Sequence, residues 1–487
     1  MRDDTGGLPT GLERRVTQRP AHPLEPEGPE LRSLTEACVR FVLQQVESLA
    51  DQPSADVSGA RAVAQTFKEA VPESGQDIEP LLDRLRGAVA KSYNAAGPGY
   101  LAYIPGGGVY AAGLADFIGC TVNRYVGVAA AAPVLAQIEE TTLRWLAGLM
   151  GYPASAGGIL TSGGSLSNFS AIVTAREALL GDDLALGRLY VSEDTHHCVA
   201  KAARLAGLRT ANVVVVPVDA RRRLVPEALA EAVARDKQAG LRPFFVAASV
   251  GTTNTGAVDP IRAIVDVARP MGLWVHADAA YGGFFRLVRD GDRLLDGIEA
   301  CDSITLDPHK GLFLPYGTGC LLVRDMEALR RAHHGSAQYL QDAEAELDGP
   351  SFAELSPELS RDFRGLRLWL PIQLHGLGAF RAQLQEKLDL ARWAYDELSQ
   401  DPLFEMLDEP QLSIVAFRLR GPGPEADTRG AEVLRRVNNR GRVFLSSTRI
   451  DGRYVLRICV LSFRTHEDRI KDAVTALREE ARALSAG

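Results

Sequence analysis

Two segments of the sequence carry residues that could do chemistry together. Asp278 follows the apolar run Leu273–Ala277, and Lys310 follows the apolar run Ser303–Leu306. Both runs are short, which predicts buried strands. In an open parallel sheet, side chains that follow the strands meet at one edge, where ligands bind. A carboxylate and an amine at that edge suit a pyridine-aldehyde cofactor. The lysine would form a Schiff base, and the aspartate would hold the ring nitrogen protonated.

The same residues also have an ordinary interpretation. An aspartate near a strand end is more often a cap or turn residue, and a pair such as His309 and Lys310 is more often at the surface. The rest of the chain must therefore supply further residues for the same site.

Composition limits the classes of protein to which the chain can belong. With 487 residues, 46% of them hydrophobic and 24% charged, it is typical of a soluble globular protein with more than one domain. A net charge of −8 argues against nucleic-acid or anionic-membrane partners. No apolar run approaches the length of a membrane span, and no apolar signal core precedes residue 31.

The cysteines and histidines give no pattern of metal ligands. Six scattered cysteines without a C-x-x-C spacing predict free thiols in a reducing compartment, so we expect a cytoplasmic protein. The pairs His196-His197 and His333-His334 are adjacent in sequence and would point apart, so we expect no metal site.

Strands and helical segments alternate through the middle of the chain. The predicted strands are Arg188–Ser192, Asn212–Val216, Pro243–Ser249, Leu273–Ala277, Ser303–Leu306 and Cys320–Val323. This alternation predicts an α/β fold with a mainly parallel, doubly wound sheet, whose crossovers place the strand ends on one edge. His196, Thr252 and Thr253 follow predicted strands, as Asp278 and Lys310 do, and we expect all five at that edge.

A glycine turn adds an anion-binding candidate. The segment GGILTSGGSLSN contains a short strand, a Gly-Gly-Ser turn at Gly163, Gly164 and Ser165, and the start of a helix. Free N–H groups at such a helix start bind phosphates. An ordinary strand-turn-helix connection has the same pattern.

Four regions are predicted along the chain. Residues 1–30 form a flexible tail, 31–110 an N-terminal helical segment, 111–372 a large α/β domain and 373–487 a small α+β domain. The polar stretch within 328–360 is interpreted as a mobile lid, or else as a solvated surface loop.

Several motifs together resemble a known family. HADAAY at 276–281 and DPHK at 307–310 resemble the pyridoxal-phosphate (PLP) decarboxylases of the aromatic-L-amino-acid decarboxylase type. The resemblance extends from about Leu31 to Leu484 and includes VSEDTHHCVAKAARLAG, ASVGTTNTGAVDP, DFRGLRLWL and YVLRICVLSFRT. It implies a fold type I PLP-dependent transferase-like enzyme, usually a homodimer with active sites at the subunit interface.

The resemblance also implies roles for individual residues. Lys310 is implied as the Schiff-base lysine, Asp278 as the partner of the ring nitrogen, His196 as the stacking histidine and Tyr339 as the catalytic tyrosine of the lid. The implied cofactor-binding residues are Gly163, Gly164, Ser165, His196, Thr253, Asp278, Ala280, His309 and Lys310. The implied substrate-pocket residues are Tyr103, Ile104, Tyr125, Val126 and Arg457, with Arg457 near the substrate carboxylate.

Departures from the family pattern concern the substrate. Gly106 stands where a threonine is frequent in the animal enzymes, and Gly311 replaces a tryptophan after the cofactor lysine. We expect an aromatic L-amino acid, with acidic, branched-chain and diamino substrates as alternatives. The presence of Tyr339 and His196 favours amine formation over an aldehyde-forming reaction. An aminotransferase, a carbon-carbon lyase and a catalytically silent PLP-binding paralogue are further alternatives.

Overall fold

The computed structural model describes residues 24–335, 349 and 351–485. The chain divides into two compact units, one formed by Met1–Asp51 with Asp56–Ser92 and the other by Gln52–Ala55 with Tyr93–Gly487. Within the described stretches, every helix is too short or too polar to cross a lipid bilayer.

The first unit is helical. It contains α1 (Gly28–Ser48), α2 (Ala60–Gln65) and α3 (Ile78–Val89). A proline in the first turn of α1 suits a helix start, because the first N–H groups of a helix have no partner within it. Arg40 of α1 donates a hydrogen bond to Glu79 of α3, at 2.5 Å.

The second unit contains all the strands of the described residues and most of the helices. Its strands are β1 (Gly157–Thr161), β2 (Gly187–Ser192), β3 (Val213–Val216), β4 (Arg242–Ser249), β5 (Trp274–Ala279), β6 (Ser303–Leu306), β7 (Gly319–Val323), β8 (Phe404–Met406), β9 (Ile414–Leu419), β10 (Ser446–Ile450) and β11 (Arg453–Cys459). Its helices are α4 (Tyr110–Val122), α5 (Pro133–Leu149), α6 (Gly164–Leu179), α7 (His197–Leu205), α8 (Pro226–Gln238), α9 (Ile261–Ala268), α10 (Gly291–Leu294), α11 (Pro308–Gly311), α12 (Met326–His333), α13 (Arg364–Ser399), α14 (Gly423–Asn439) and α15 (Glu467–Ser485). Short 3-10 turns lie at Ala129–Ala131, Thr210–Asn212, Gly283–Leu287, Ile298–Ala300 and Phe352–Glu354.

The large sheet is mainly parallel, as the sequence predicts. Its seven strands are ordered β1-β7-β6-β5-β4-β2-β3, and β7 alone runs antiparallel to its neighbours β1 and β6. Because β7 runs the opposite way, its first residue, Gly319, pairs with Thr161, the last residue of β1. The loop that follows β1 therefore lies beside the segment that connects β6 to β7.

A second, four-stranded antiparallel sheet of order β10-β11-β9-β8 forms the C-terminal part. Its core is separate from that of the large sheet and contains the edge-to-face pair Phe404 and Phe417, whose ring centroids lie 5.5 Å apart. Helix α13 is one helical segment that is interrupted at Gly376, where φ is +70°. The predicted domain boundaries stay predictions.

Candidate active site

The ends of the parallel strands of the large sheet surround one cavity of about 300 Å³. Segments that follow β1, β2, β4 and β6 line it, together with the end of β5 and the turn after it. The structure brings all nine residues predicted to bind the cofactor to this cavity: Gly163, Gly164, Ser165, His196, Thr253, Asp278, Ala280, His309 and Lys310. This position at the carboxyl ends of the strands is where α/β sheets bind ligands.

Asp278 is the buried carboxylate of the cavity. It lies near the end of β5 and is 8% exposed. The side-chain amide of Asn168 donates to Oδ2 at 3.0 Å, and the Ala280 N–H donates to Oδ1 at 3.3 Å. Burial raises the pKa of Asp278, while Lys310, Asn168 and the Ala280 N–H oppose this rise. The positive charge of a protonated cofactor ring nitrogen beside the carboxylate would also oppose this rise in the pKa of Asp278.

Lys310 lies on α11, a helix of a single turn between β6 and β7. Its Nζ atom is 2.8 Å from Oδ2 of Asp307, whose side chain is almost fully buried. Burial lowers the pKa of Lys310, but the neighbouring Asp307 and Asp278 raise it more, so the net pKa lies above its ordinary value. The two carboxylates therefore favour the ammonium form of the lysine.

The glycine turn between β1 and α6 is tightly packed. Gly163 has φ of +155°, and a Cβ atom on Gly319 would lie 2.5 Å from the Gly163 Cα atom. Within the described part of the chain, no side chain caps the start of α6. The turn thus leaves the N-terminal end of α6, with its positive dipole, at the cavity.

Two histidines line the cavity in their neutral forms. Burial, together with His197 and Lys310, lowers the pKa of His196 to about 4. Burial also lowers the pKa of His309, whose Nδ1 donates to the Thr318 carbonyl at 2.7 Å. His196, and not its neighbour His197, lines the cavity, as the sequence predicts.

The chain matches a described family over most of its length. Residues 61–420 match the pyridoxal-dependent decarboxylase conserved domain. The chain belongs to the pyridoxal-dependent decarboxylase family. This pyridoxal-dependent decarboxylase is a carboxy-lyase of fold type I that uses PLP, as the resemblance implies.

Individual relatives of this pyridoxal-dependent decarboxylase align along nearly the whole chain. An aromatic-L-amino-acid decarboxylase of Bacillus atrophaeus is 32% identical over 467 residues, 94% of this chain and 97% of the relative. A phenylacetaldehyde synthase of Arabidopsis thaliana is 28% identical over 94% of this chain and 97% of the relative. The crystal structure of Catharanthus roseus tryptophan decarboxylase in complex with L-tryptophan is 26% identical, with a TM-score of 0.88 over 94% of this chain and 99% of that chain.

The cavity of this pyridoxal-dependent decarboxylase fits PLP chemically. It offers an amine for the aldehyde, a buried carboxylate for the ring nitrogen and an uncapped helix start for the phosphate. The residues that would hold the cofactor are Lys310, Asp278 and the turn at Gly163, with the neutral ring of His196 available to stack.

The predicted substrate residues do not line this cavity. Arg457 comes nearest to its wall, because Nη2 donates to the Thr253 carbonyl at 2.5 Å. The Tyr125 hydroxyl donates to the Leu359 carbonyl at 3.1 Å, and Val126 is fully buried. Tyr103 is half-exposed with φ of +55°. The remaining substrate prediction, Ile104, packs against the core of the large sheet. Tyr339, predicted as the catalytic tyrosine, lies outside the described residues.

Several cavity residues had no role in the sequence prediction. They are Asn168, Cys198, Ser249, Tyr281 and Asp307. Two features of the sequence could have identified Asn168 and Asp307, the polar residues that contact Asp278 and Lys310. Asp307 directly follows a strand, and Asn168 lies four residues after Gly164, which places it on the same face of α6.

Proposed function

We propose that this pyridoxal-dependent decarboxylase converts an aromatic L-amino acid to its amine and CO₂, as a cytoplasmic homodimer. The observation that carries the proposal is the placement of Asp278 and Lys310 on one cavity, with the glycine turn and His196 around it. A carboxylate, an amine and an anion-binding turn on a single cavity match the three polar ends of PLP.

Each residue has a distinct task in the proposal. Bound PLP supplies an electron sink for the negative charge left on Cα when CO₂ departs. Lys310 holds the cofactor covalently, and Asp278 holds the proton on the ring nitrogen. His196 stacks on the ring and stays neutral, because burial keeps its pKa at about 4. Tyr339 returns a proton to Cα, which gives the amine.

Phosphate binding and ring contacts fall to the remaining residues. Gly163, Gly164 and Ser165 offer N–H groups at the start of α6, and His309 lies at the same side of the cavity. Thr253 and Ala280 line the same cavity and are proposed to flank the ring. These contacts orient the cofactor without taking part in proton transfer.

Arg457 is proposed to bind the substrate carboxylate. It is 3% exposed, its Nε atom has no hydrogen-bond partner, and no ion pair joins it to an acid among the residues that the structure describes. A buried guanidinium without a carboxylate is an unusual arrangement, since buried charges are normally paired. A substrate carboxylate would supply the missing partner.

The proposal of an aromatic substrate is supported by the names of two relatives. The Bacillus atrophaeus and Catharanthus roseus proteins carry aromatic amino-acid substrates in their names. Tyr103, Ile104, Tyr125 and Val126 stay the proposed substrate contacts, although they do not line the cavity of the single chain. Acidic, branched-chain and diamino acids remain the alternatives.

The homodimer is supported by an apolar stripe on α4, formed by Tyr110, Leu114, Phe117, Ile118 and Val122. These residues follow the helical spacing and are exposed, whereas Ala111, Ala112 and Ala115 of the same helix are buried. Contiguous exposed apolar stripes commonly mark interfaces. The cytoplasmic location is supported by six free cysteines, which persist in reducing compartments.

A substrate screen tests the proposed reaction. The purified protein with PLP is given a panel of aromatic, acidic, branched-chain and diamino L-amino acids, and CO₂, amine, aldehyde and ammonia are measured. We expect CO₂ and the amine in equal amounts from an aromatic substrate, and no product with Lys310→Ala. Release of CO₂ only from a non-aromatic acid would refute the substrate class. Aldehyde and ammonia as main products would favour the type of reaction that the name phenylacetaldehyde synthase describes. A requirement for a keto acid would favour an aminotransferase.

A further inference from the structure

Behind Asp278, a continuous chain of hydrogen bonds crosses α6, β5 and β6. Asn168 donates from Nδ2 to Oδ2 of Asp278 at 3.0 Å. On its other side, Oδ1 of Asn168 lies 2.8 Å from His276 Nε2 and accepts from the Thr305 hydroxyl at 2.8 Å. Nδ1 of His276 lies 2.7 Å from the Ser303 hydroxyl. All five side chains are buried.

The direction of each hydrogen bond follows from the atoms. Oδ1 of Asn168 can only accept, so Nε2 of His276 must carry the proton. Burial lowers the pKa of His276 to about 3, so the ring is neutral and Nδ1 is a bare acceptor for the Ser303 hydroxyl. The Ser303 oxygen in turn accepts from Trp274 Nε1 at 2.8 Å. These hydrogen bonds therefore all run in one direction, from Trp274 to Asp278, and the last donor is the Asn168 amide.

We propose that Asn168 and His276 are positioning residues that keep Asp278 a permanent hydrogen-bond acceptor, and therefore a carboxylate, on the side facing the cofactor ring. This inference rests on the proposed role of Asp278. His276 orients the Asn168 amide, because a reversed amide would place an oxygen against the Asp278 carboxylate and an NH₂ group against the His276 N–H. Groups behind a functional side chain commonly set its orientation and basicity in this way.

Asp278 needs this hydrogen-bond support because its carboxylate is buried away from water. Burial raises its pKa and favours the protonated form, which could not hold the ring nitrogen protonated. Hydrogen bonds donated to a carboxylate favour its charged form, and Asn168 donates one of the two in the described structure. The other titratable groups around Asp278 are Lys310 on α11, Asp307 before it, Cys198 on α7, His196 before it, and His276 on β5.

Asn168→Asp tests the proposal, because it keeps the size of the side chain and the acceptor for His276 but replaces the amide donor beside Asp278 with a carboxylate oxygen. The equilibrium dissociation constant of PLP and the visible spectrum of the bound cofactor are measured at about pH 6 and about pH 8. At the higher pH we expect binding about tenfold to a hundredfold weaker than wild type, the usual value of a hydrogen bond to a charged group. At the lower pH we expect a smaller deficit, because a protonated Asp at 168 can donate again. Thr174→Val is the matched control, since Thr174 is equally buried on α6 and donates only to the helix carbonyl of Ser170.

A second pair of variants separates orientation from packing. His276→Gln retains an N–H donor of similar reach and should bind PLP within about threefold of wild type, whereas His276→Leu should match the defect of Asn168→Asp. Wild-type affinity and spectrum in both Asn168→Asp and His276→Leu would overturn the inference. An equal loss of PLP affinity in all variants, including Thr174→Val, would also overturn the inference, because it would indicate a purely structural role. If the wild type itself shows no visible absorbance that depends on Lys310, the proposed function fails instead.

Discussion

Lys310 is paired with Asp307, three residues before it, rather than directly with Asp278 across the cavity. The Nζ atom of Lys310 lies 2.8 Å from Oδ2 of Asp307, and the Oδ1 atom of Asp307 has no hydrogen-bond partner among the residues that the structure describes. This ion pair stabilises the ammonium form of the lysine, whereas Schiff-base formation requires the neutral amine. Loading of the cofactor must therefore displace Lys310 from Asp307.

Asp307→Asn should accelerate cofactor loading. Asp307 raises the pKa of Lys310, so its removal lowers that pKa and increases the neutral fraction of the amine at any pH below it. We expect the rate at which visible absorbance appears after PLP addition to rise about tenfold, the effect of lowering a pKa by one unit. The pH dependence of this rate should move to lower pH. A rate that is unchanged or slower than that of the wild type would show that the ion pair does not limit loading.

Tyr339→Phe should alter the product and leave cofactor binding nearly unchanged. The phenol is the proposed proton donor to Cα, and without it amine formation should slow about a hundredfold, the contribution typical of a positioned acid. Part of the turnover should then give aldehyde, CO₂ and ammonia, with consumption of dioxygen. Product ratios by mass spectrometry and oxygen uptake check this. Tyr395→Phe on α13 serves as the control, and the assignment is wrong if both variants behave as wild type.

His276 should make the folded protein lose stability in acid. Its pKa is about 3 when folded, whereas an exposed histidine titrates near 6.5. Between these values the unfolded chain binds a proton that the folded chain does not, so the free energy of unfolding decreases as the pH falls below about 6.5.

His276→Gln should reduce this acid loss by about 1.4 kcal/mol for each pH unit below about 6. Urea unfolding midpoints at about pH 7, 6 and 5 measure the slope. His375→Gln, at an exposed position, is the control and should leave the slope as in wild type. Equal slopes in the two variants would contradict the neutral, buried state of His276.

Phe117→Glu should dissociate the proposed homodimer. Phe117 is 58% exposed at the centre of the apolar stripe on α4, and a charge buried in an apolar interface is strongly unfavourable. Size-exclusion chromatography with light scattering should show a dimer for wild type and a monomer for the variant. Leu205→Glu, at a 68% exposed leucine on α7, should remain a dimer. A dimeric Phe117→Glu protein would place the interface elsewhere.

The large sheet and the cavity could be predicted from the sequence because both follow from strand alternation. Side chains at or just beyond the ends of parallel strands converge on one edge, and His196, Thr253, Asp278 and Lys310 all do so. The pairing of Lys310 with Asp307 could not be predicted, because it depends on side-chain torsions within a single helical turn. Asn168 was missed because its role depends on partners from β5 and β6 that are remote in sequence.

The smaller sheet was only partly predicted. β9 and β11 carry apolar runs, whereas β8 has three residues and β10 has the mixed sequence SSTRI. Such strands form because neighbouring strands offer backbone partners, so their tertiary context outweighs their own pattern. Helix α13 is interrupted at Gly376, where a single glycine adopts positive φ.

The most direct test of the account is to locate the covalent bond to the cofactor. The purified protein is incubated with PLP, reduced with borohydride, digested and analysed by mass spectrometry. The account predicts one pyridoxyl adduct, on the peptide that contains Lys310, and its loss in Lys310→Ala. An adduct on a different lysine, or none in a folded wild-type protein, would contradict the assignment of this cavity as the active site.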